Sequence, residues 1–154
     1  MTSLDDVYRK FGEVAEAAQL LETELGNHLL ERRGREHGWY EQPNPVAARA
    51  ALDQIDRSTL GQLLRQLPGL KENSDDATDL LVRALDERNR LFHSFYRQHN
   101  FRRNSTDGCQ VMLDDLESIH EIIITAYKFV LRTVGIDLDA IVLDKLPSKH
   151  LDLD

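Results

Sequence analysis

The sequence predicts an all-α domain, an up-and-down bundle of three long helices with two or three short ones between them. Three observations carry this. Apolar residues recur at three- and four-residue steps through three long blocks, which is the helical period. The four prolines and most of the eight glycines fall outside those blocks. Nowhere does an alternating apolar–polar run meet a hairpin turn, as a strand pair would require.

The first helix is expected over residues 4–33, where Leu4, Val7, Phe11, Val14, Ala18, Leu21, Leu25 and Leu29 form one stripe. Gly12 and Gly26 each lower its propensity by up to about 1 kcal/mol relative to alanine. Residues 34–44 carry two glycines and a proline and read as a loop, with Trp39 and Tyr40 covering the core or a dimer contact. A short helix follows over 45–53, with Pro45 in its first turn. A second short helix starts at Ser58 as N-cap and stops at Pro68-Gly69. Capping side chains at Asn73, Ser74, Asp75 and Asp76 open a long helix over 75–98. Residues 101–108 form a polar loop, and Asp107 opens the last long helix, which runs to Thr133 and buries Val111 or Met112, Leu116, Ile119, Ile122 or Ile123, Ala126, and Phe129 or Val130. Gly135 ends that helix, and 136–146 form one more short element. Residues 1–146 are read as one domain and 147–154 as a frayed tail.

Composition bounds the function. The chain has 154 residues, 27 acidic against 19 basic, and a formal charge of −8. A protein that coats its whole surface with nucleic acid should be basic, so that class is excluded globally but not locally. The lone Cys109 rules out an internal disulfide and any cysteine-based zinc site. Residues 1–6 do not resemble a signal peptide, and no apolar run approaches a membrane span. A soluble, cytoplasmic protein is expected.

The segment that can carry chemistry lies late in the 75–98 helix. At 100° per residue, Ala84, Leu85, Phe92, Phe95 and Tyr96 fall within roughly 60° of Leu81, and Arg88 lies in the middle of that stripe. Asn89 and His93 stand one turn apart on its shoulder, while Asp86, Glu87, Arg90 and Arg97 point away. A guanidinium there needs a partner. Two readings are open. Arg88 is a structural ion pair with Glu22, Glu24 or Glu117, or it lines a cleft and grips an anion bidentately, with His93 moving protons beside it. Residues 83–103 hold six arginines against Asp86 and Glu87, a net charge of +4, which leaves −12 for the rest. Arg90, Tyr96, Arg97, Arg102 and Arg103 are the candidate RNA-binding residues of this stretch.

Arg88-Asn89-x-x-x-His93 resembles the R-polar-x(3)-H signature of HEPN domains, four-to-five-helix bundles that include many prokaryotic RNases. The resemblance covers residues 4–135 in architecture but only 88–93 in motif. It implies a homodimer whose motif helices face each other and cleave RNA without a metal. His93 would be acid or base, Arg88 would stabilise phosphoryl charge, Asn89 would orient either, and the product would end in a 2′,3′-cyclic phosphate. It further implies a toxin or defence setting, with an antitoxin or nucleotidyltransferase partner, or alternatively an inactive module that binds a nucleotide or a protein. Toxins paired with a nucleotidyltransferase often carry tyrosine two residues after the histidine. Phe95 stands there instead, with Tyr96 next to it. No cofactor or metal is expected: Glu117 and His120 have the E-x-x-H spacing of di-iron bundles, but no second copy of it exists.

Overall fold

The computed structural model describes residues 1–66 and 75–141, and it is an all-α bundle with no strand among them. Six α-helices are present in this part: α1 (Leu4–Glu36), α2 (Pro45–Asp56), α3 (Leu60–Arg65), α4 (Asp75–His93), α5 (Phe95–His99) and α6 (Thr106–Thr133). A 3₁₀ turn, Asn100–Asn104, links α5 to α6, and another, Leu138–Ala140, follows α6. The expected stop at Pro68-Gly69, the caps at Asn73 and Ser74, and the tail after residue 141 lie outside the described residues.

The three long helices run up, down and up. Phe11 meets Phe92 and Glu22 meets Arg88, so α4 is antiparallel to α1. Lys10 reaches His120 and His28 reaches Val130, so α6 is parallel to α1. One hydrophobic cluster fills the space between them, drawing Val7, Val14, Leu21 and Leu25 from α1, Leu81, Ala84 and Leu91 from α4, and Met112, Leu116, Ile119 and Ile123 from α6. Burying each large side chain stabilises the fold by about 1.5–3 kcal/mol. The stripes expected on α1 and α6 are the buried ones. On α4 the buried arc is turned towards Leu91, and Phe92 remains 38% exposed.

The helix ends have local causes. Ser3 and Asp6 form a reciprocal capping box that starts α1. Ser3→Ala is expected to cost about 1 kcal/mol and lower Tm by about 2–4 °C in a thermal melt. α1 runs past its expected end because Gly34 presents a bare face against which the Trp39 and Tyr40 rings close, 3.5 Å from where a Cβ would stand. Thr59, rather than Ser58, caps α3, sharing a capping box with Gln62. At the far end of α6, Gly135 at φ +81 lets Ile136 N–H bond to Leu131 C=O and its own N–H bond to Arg132 C=O, the paired closure of a helix C-terminus.

The expected 75–98 helix is broken. The Ser94 hydroxyl donates back to Arg90 C=O at 3.2 Å, and Ser94 takes φ −142, ψ −7. Such back-bonding bends helices. His93 thus closes α4, and α5 sets off at a new angle with Phe95 buried beneath it. No helix among the described residues is long and apolar enough to cross a membrane.

Candidate functional site

Because α4 runs antiparallel to α1, residue 88 arrives opposite residue 22. Arg88 Nε–H donates to Glu22 Oε1 at 2.7 Å, so Glu22 is the partner among the three carboxylates the sequence offered. Arg88 Nη1–H reaches Asn89 Oδ1 at 3.3 Å, and the guanidinium carbon lies 4.9 Å from the Phe92 ring centre. The group is therefore oriented from three sides, while its Nη2 donors make no hydrogen bond within the described residues. Asn89 and His93 are exposed, and the His93 ring nitrogens have no hydrogen-bond partner in the described residues. The backbone C=O of His93 accepts from Arg97 Nη2 at 3.3 Å.

An aromatic seam beside the motif joins α1 to α4 and α5. Phe11 packs on Phe92, Phe95 and Tyr96, and Tyr8 meets Tyr96 edge-on at 6.2 Å. Arg103 donates to the Tyr8 hydroxyl at 2.7 Å, which ties the 3₁₀ turn to the start of α1. Burial, with Tyr8 adding to it, raises the Tyr96 pKa above the usual phenol value, so this ring is neutral at physiological pH. Tyr8, Phe92 and Phe101 leave apolar surface exposed around the motif.

Arg90 does not point away from the fold. It forks onto both oxygens of Asp115 at 2.7 Å and onto Glu87 at 2.8 Å, and the side chain is only 26% exposed. His99, 5% exposed, places Nε2 at 2.7 Å from the second Asp115 oxygen and Nδ1 at 3.0 Å from Arg102 Nη1. Arginine can only donate, so Nδ1 accepts and Nε2 carries the proton that Asp115 accepts. Hydrogen bonds from Arg90 first, then from His99, hold the Asp115 carboxyl below the usual carboxylate range, and the same contacts raise Arg90 further. This network was absent from the sequence reading. Its one visible signal was His99, four residues after Phe95 and so on the same buried face, where the rings now lie 4.5 Å apart.

The network also changes the local charge. Glu22 and Asp115 join the basic stretch and reduce its net charge from +4 to +2. Of the candidate RNA-binding residues, Arg90 is committed to carboxylates and Tyr96 to the aromatic seam. Arg97, Arg102 and Arg103 are exposed and have only neutral partners among the described residues. His120, the other motif candidate, accepts at Nδ1 from Lys10 at 3.0 Å, and burial and that cation lower its pKa. No cluster of three potential metal ligands forms among the described residues.

Compared with family models, with curated proteins and with solved structures, the chain gives no match. What the fold and the site define is therefore a class: an all-α bundle carrying, on one exposed helix end, an oriented arginine, an amide and an imidazole without a hydrogen-bond partner among the described residues. A guanidinium fork suits phosphate oxygens, and an imidazole can serve as general base or acid.

Proposed function

We propose that the chain is a HEPN-like, metal-independent endoribonuclease whose cleft is completed by a second copy. The observation that supports this reading best is Arg88, held at Nε by Glu22 yet with its Nη2 donors uncommitted among the described residues, on the same helix end as the exposed Asn89 and His93. One His93 takes the proton of an RNA 2′-hydroxyl, whose oxygen attacks the adjoining phosphorus. The bond to the 5′-oxygen breaks, and the second copy's His93 returns a proton to that leaving group. Arg88 stabilises the charge gathering on the phosphoryl oxygens, and the products carry a 2′,3′-cyclic phosphate and a 5′-hydroxyl. Arg97, Arg102 and Arg103 guide the strand, and the exposed Phe92 and Phe101 offer stacking surface. A toxin or defence role, with a protein antitoxin covering this face, fits such an activity. A nucleotidyltransferase antitoxin has less to act on, since the slot after the motif holds Phe95, buried to 1% exposure.

The Arg88–Glu22 ion pair favours a second reading, an inactive HEPN-like module that binds a nucleotide or a protein without cleaving RNA. Incubating the protein with RNA in EDTA separates the two. The first reading expects cyclic-phosphate ends and a rate at least about 100-fold lower for His93→Ala. No cleavage by either protein removes it in favour of the second, and equal cleavage by both overturns it by taking His93 out of the reaction.

A further inference from the structure

About 37 Å along α1 from Tyr8, at 1.5 Å per residue, the other end of the helix carries an open pocket of about 610 Å³. It lies between the last turns of α1, the turn after it and α2, and its size is that of a small-molecule site. The pocket exists because the elements around it are small where they meet. Gly26 lets α2 come close, since a Cβ there would stand 2.7 Å from the Ile55 side chain. Gly38 at φ +67 turns the chain back, and Trp39 N–H closes on Gly34 C=O at 2.9 Å. The floor is Ala47, Ala50 and Ala51, on one face of α2, so its surface is flat.

The polar lining has one sign. Arg33 Nη1 donates to Gln54 Oε1 at 3.0 Å and Nη2 to Gln66 Oε1 at 2.8 Å, so two neutral amides aim the guanidinium without neutralising it. Among the described residues no carboxylate comes within ion-pair distance of Arg33, and none lines the pocket, in a chain with 27 acidic residues. His37 donates from Nδ1 to Arg33 C=O at 2.9 Å, which leaves Nε2 free, and its ring stacks on Trp39 at 5.5 Å and 28°. A fixed cation, an aromatic wall and a flat alanine floor edged by amides thus share one opening.

We infer that this pocket binds a small anion carrying a planar heterocycle, a nucleoside 5′-monophosphate. The phosphate meets the remaining donors of Arg33 beside the His37 ring, and the base lies between Trp39 and the alanine floor with its polar edge towards the amide of Gln42. The site is separate from the His93 face and stands whether or not that face cleaves RNA.

Trp39 is the only tryptophan in the chain, so its emission reports on this pocket directly. Titration of the full-length protein with AMP, GMP, CMP and UMP is expected to give a saturable change for at least one of them below about 1 mM. Adenosine alone and inorganic phosphate alone should each bind at least about tenfold more weakly than the nucleotide, a loss of about 1.4 kcal/mol. Arg33→Gln should weaken binding at least about tenfold, and Arg97→Ala, on the other face, should leave it unchanged. Because Arg33 also ties Gln54 and Gln66 together, Ala50→Leu supplies the independent arm: it fills the floor from an exposed position, leaves Arg33 in place and should abolish binding with the melting curve intact. No saturable change with any nucleotide, or wild-type affinity in both variants, overturns the assignment.

Discussion

Asp115→Ala is expected to destabilise the bundle by about 2–4 kcal/mol, a fall in Tm of about 4–16 °C. One carboxylate receives two hydrogen bonds from Arg90 and one from His99, and the pair is three-quarters buried. Its loss leaves Arg90 with Glu87 and the amide oxygen of Gln98, and orphans the His99 N–H inside the protein. Asp115→Asn, which keeps an acceptor but loses the charge, should cost about half as much. The sign of the pH dependence follows from the depressed carboxyl. A group whose folded pKa lies below its unfolded value, about 3.9 for aspartate, contributes stability in full above that value and loses it as the pH falls through the folded pKa. Thermal melts of wild type and Asp115→Ala should therefore differ by a constant amount near neutrality and converge below about pH 4. A gap that stays unchanged down to about pH 2 would show that packing, and not the ionised carboxylate, sets the cost.

The same residues show what was legible in the sequence. The stripes of α1 and α6 could be read because each helix buries one continuous face, so that period alone names Val14, Leu21, Leu116 and Ile119. α4 resisted that reading because it packs on two neighbours. Its arc towards α6 takes in Leu91, Glu87 and Arg90 as well as the stripe towards α1, and a single helical angle cannot show that a salt bridge extends the buried side. The break at Ser94 was hidden for a different reason: serine back-bonding is allowed in any helix, and only the burial of Phe95 and His99 below makes the bend worthwhile. For Arg88 the sequence defined the problem and offered three solutions, and only the antiparallel register of α4 on α1 selects Glu22. The local charge of +4 was an accurate count along the chain, but half of it is offset by carboxylates that arrive from 66 and 25 residues away. Long-range pairs of this kind leave no trace in spacing. What survives as a basic surface is the 3₁₀ turn with Arg97 beside it.

How that turn is seated gives the second large effect. Glycine in a helix ordinarily costs about 1 kcal/mol relative to alanine, so by propensity Gly108→Ala in the first turn of α6 should stabilise the protein. The structure reverses the sign. A Cβ on Gly108 would lie 2.0 Å from Arg102 C=O oxygen and within 2.7 Å of two more Arg102 backbone atoms, none of which can rotate aside as a side chain tip would. Either the 3₁₀ turn lifts off or the start of α6 shifts, which would strain the bonds from Gly108 N–H to Ser105 Oγ and from Cys109 Sγ–H to Arg103 C=O. The expected cost is about 3 kcal/mol, at the upper end for overpacking a well-filled site. Gly12→Ala provides the contrast within one chain: nothing lies within 4 Å of that Cβ, so stability should rise by about 0.5–1 kcal/mol. Urea titration of the two variants measures the opposite signs. The turn that Gly108 seats also holds Arg102 and Arg103, so under the proposed RNase reading a Gly108→Ala protein that still folds should bind RNA more weakly, with His93 itself undisturbed. If instead Gly108→Ala is as stable as wild type and Gly12→Ala gains no more, the close contact at Arg102 is not what fixes the turn.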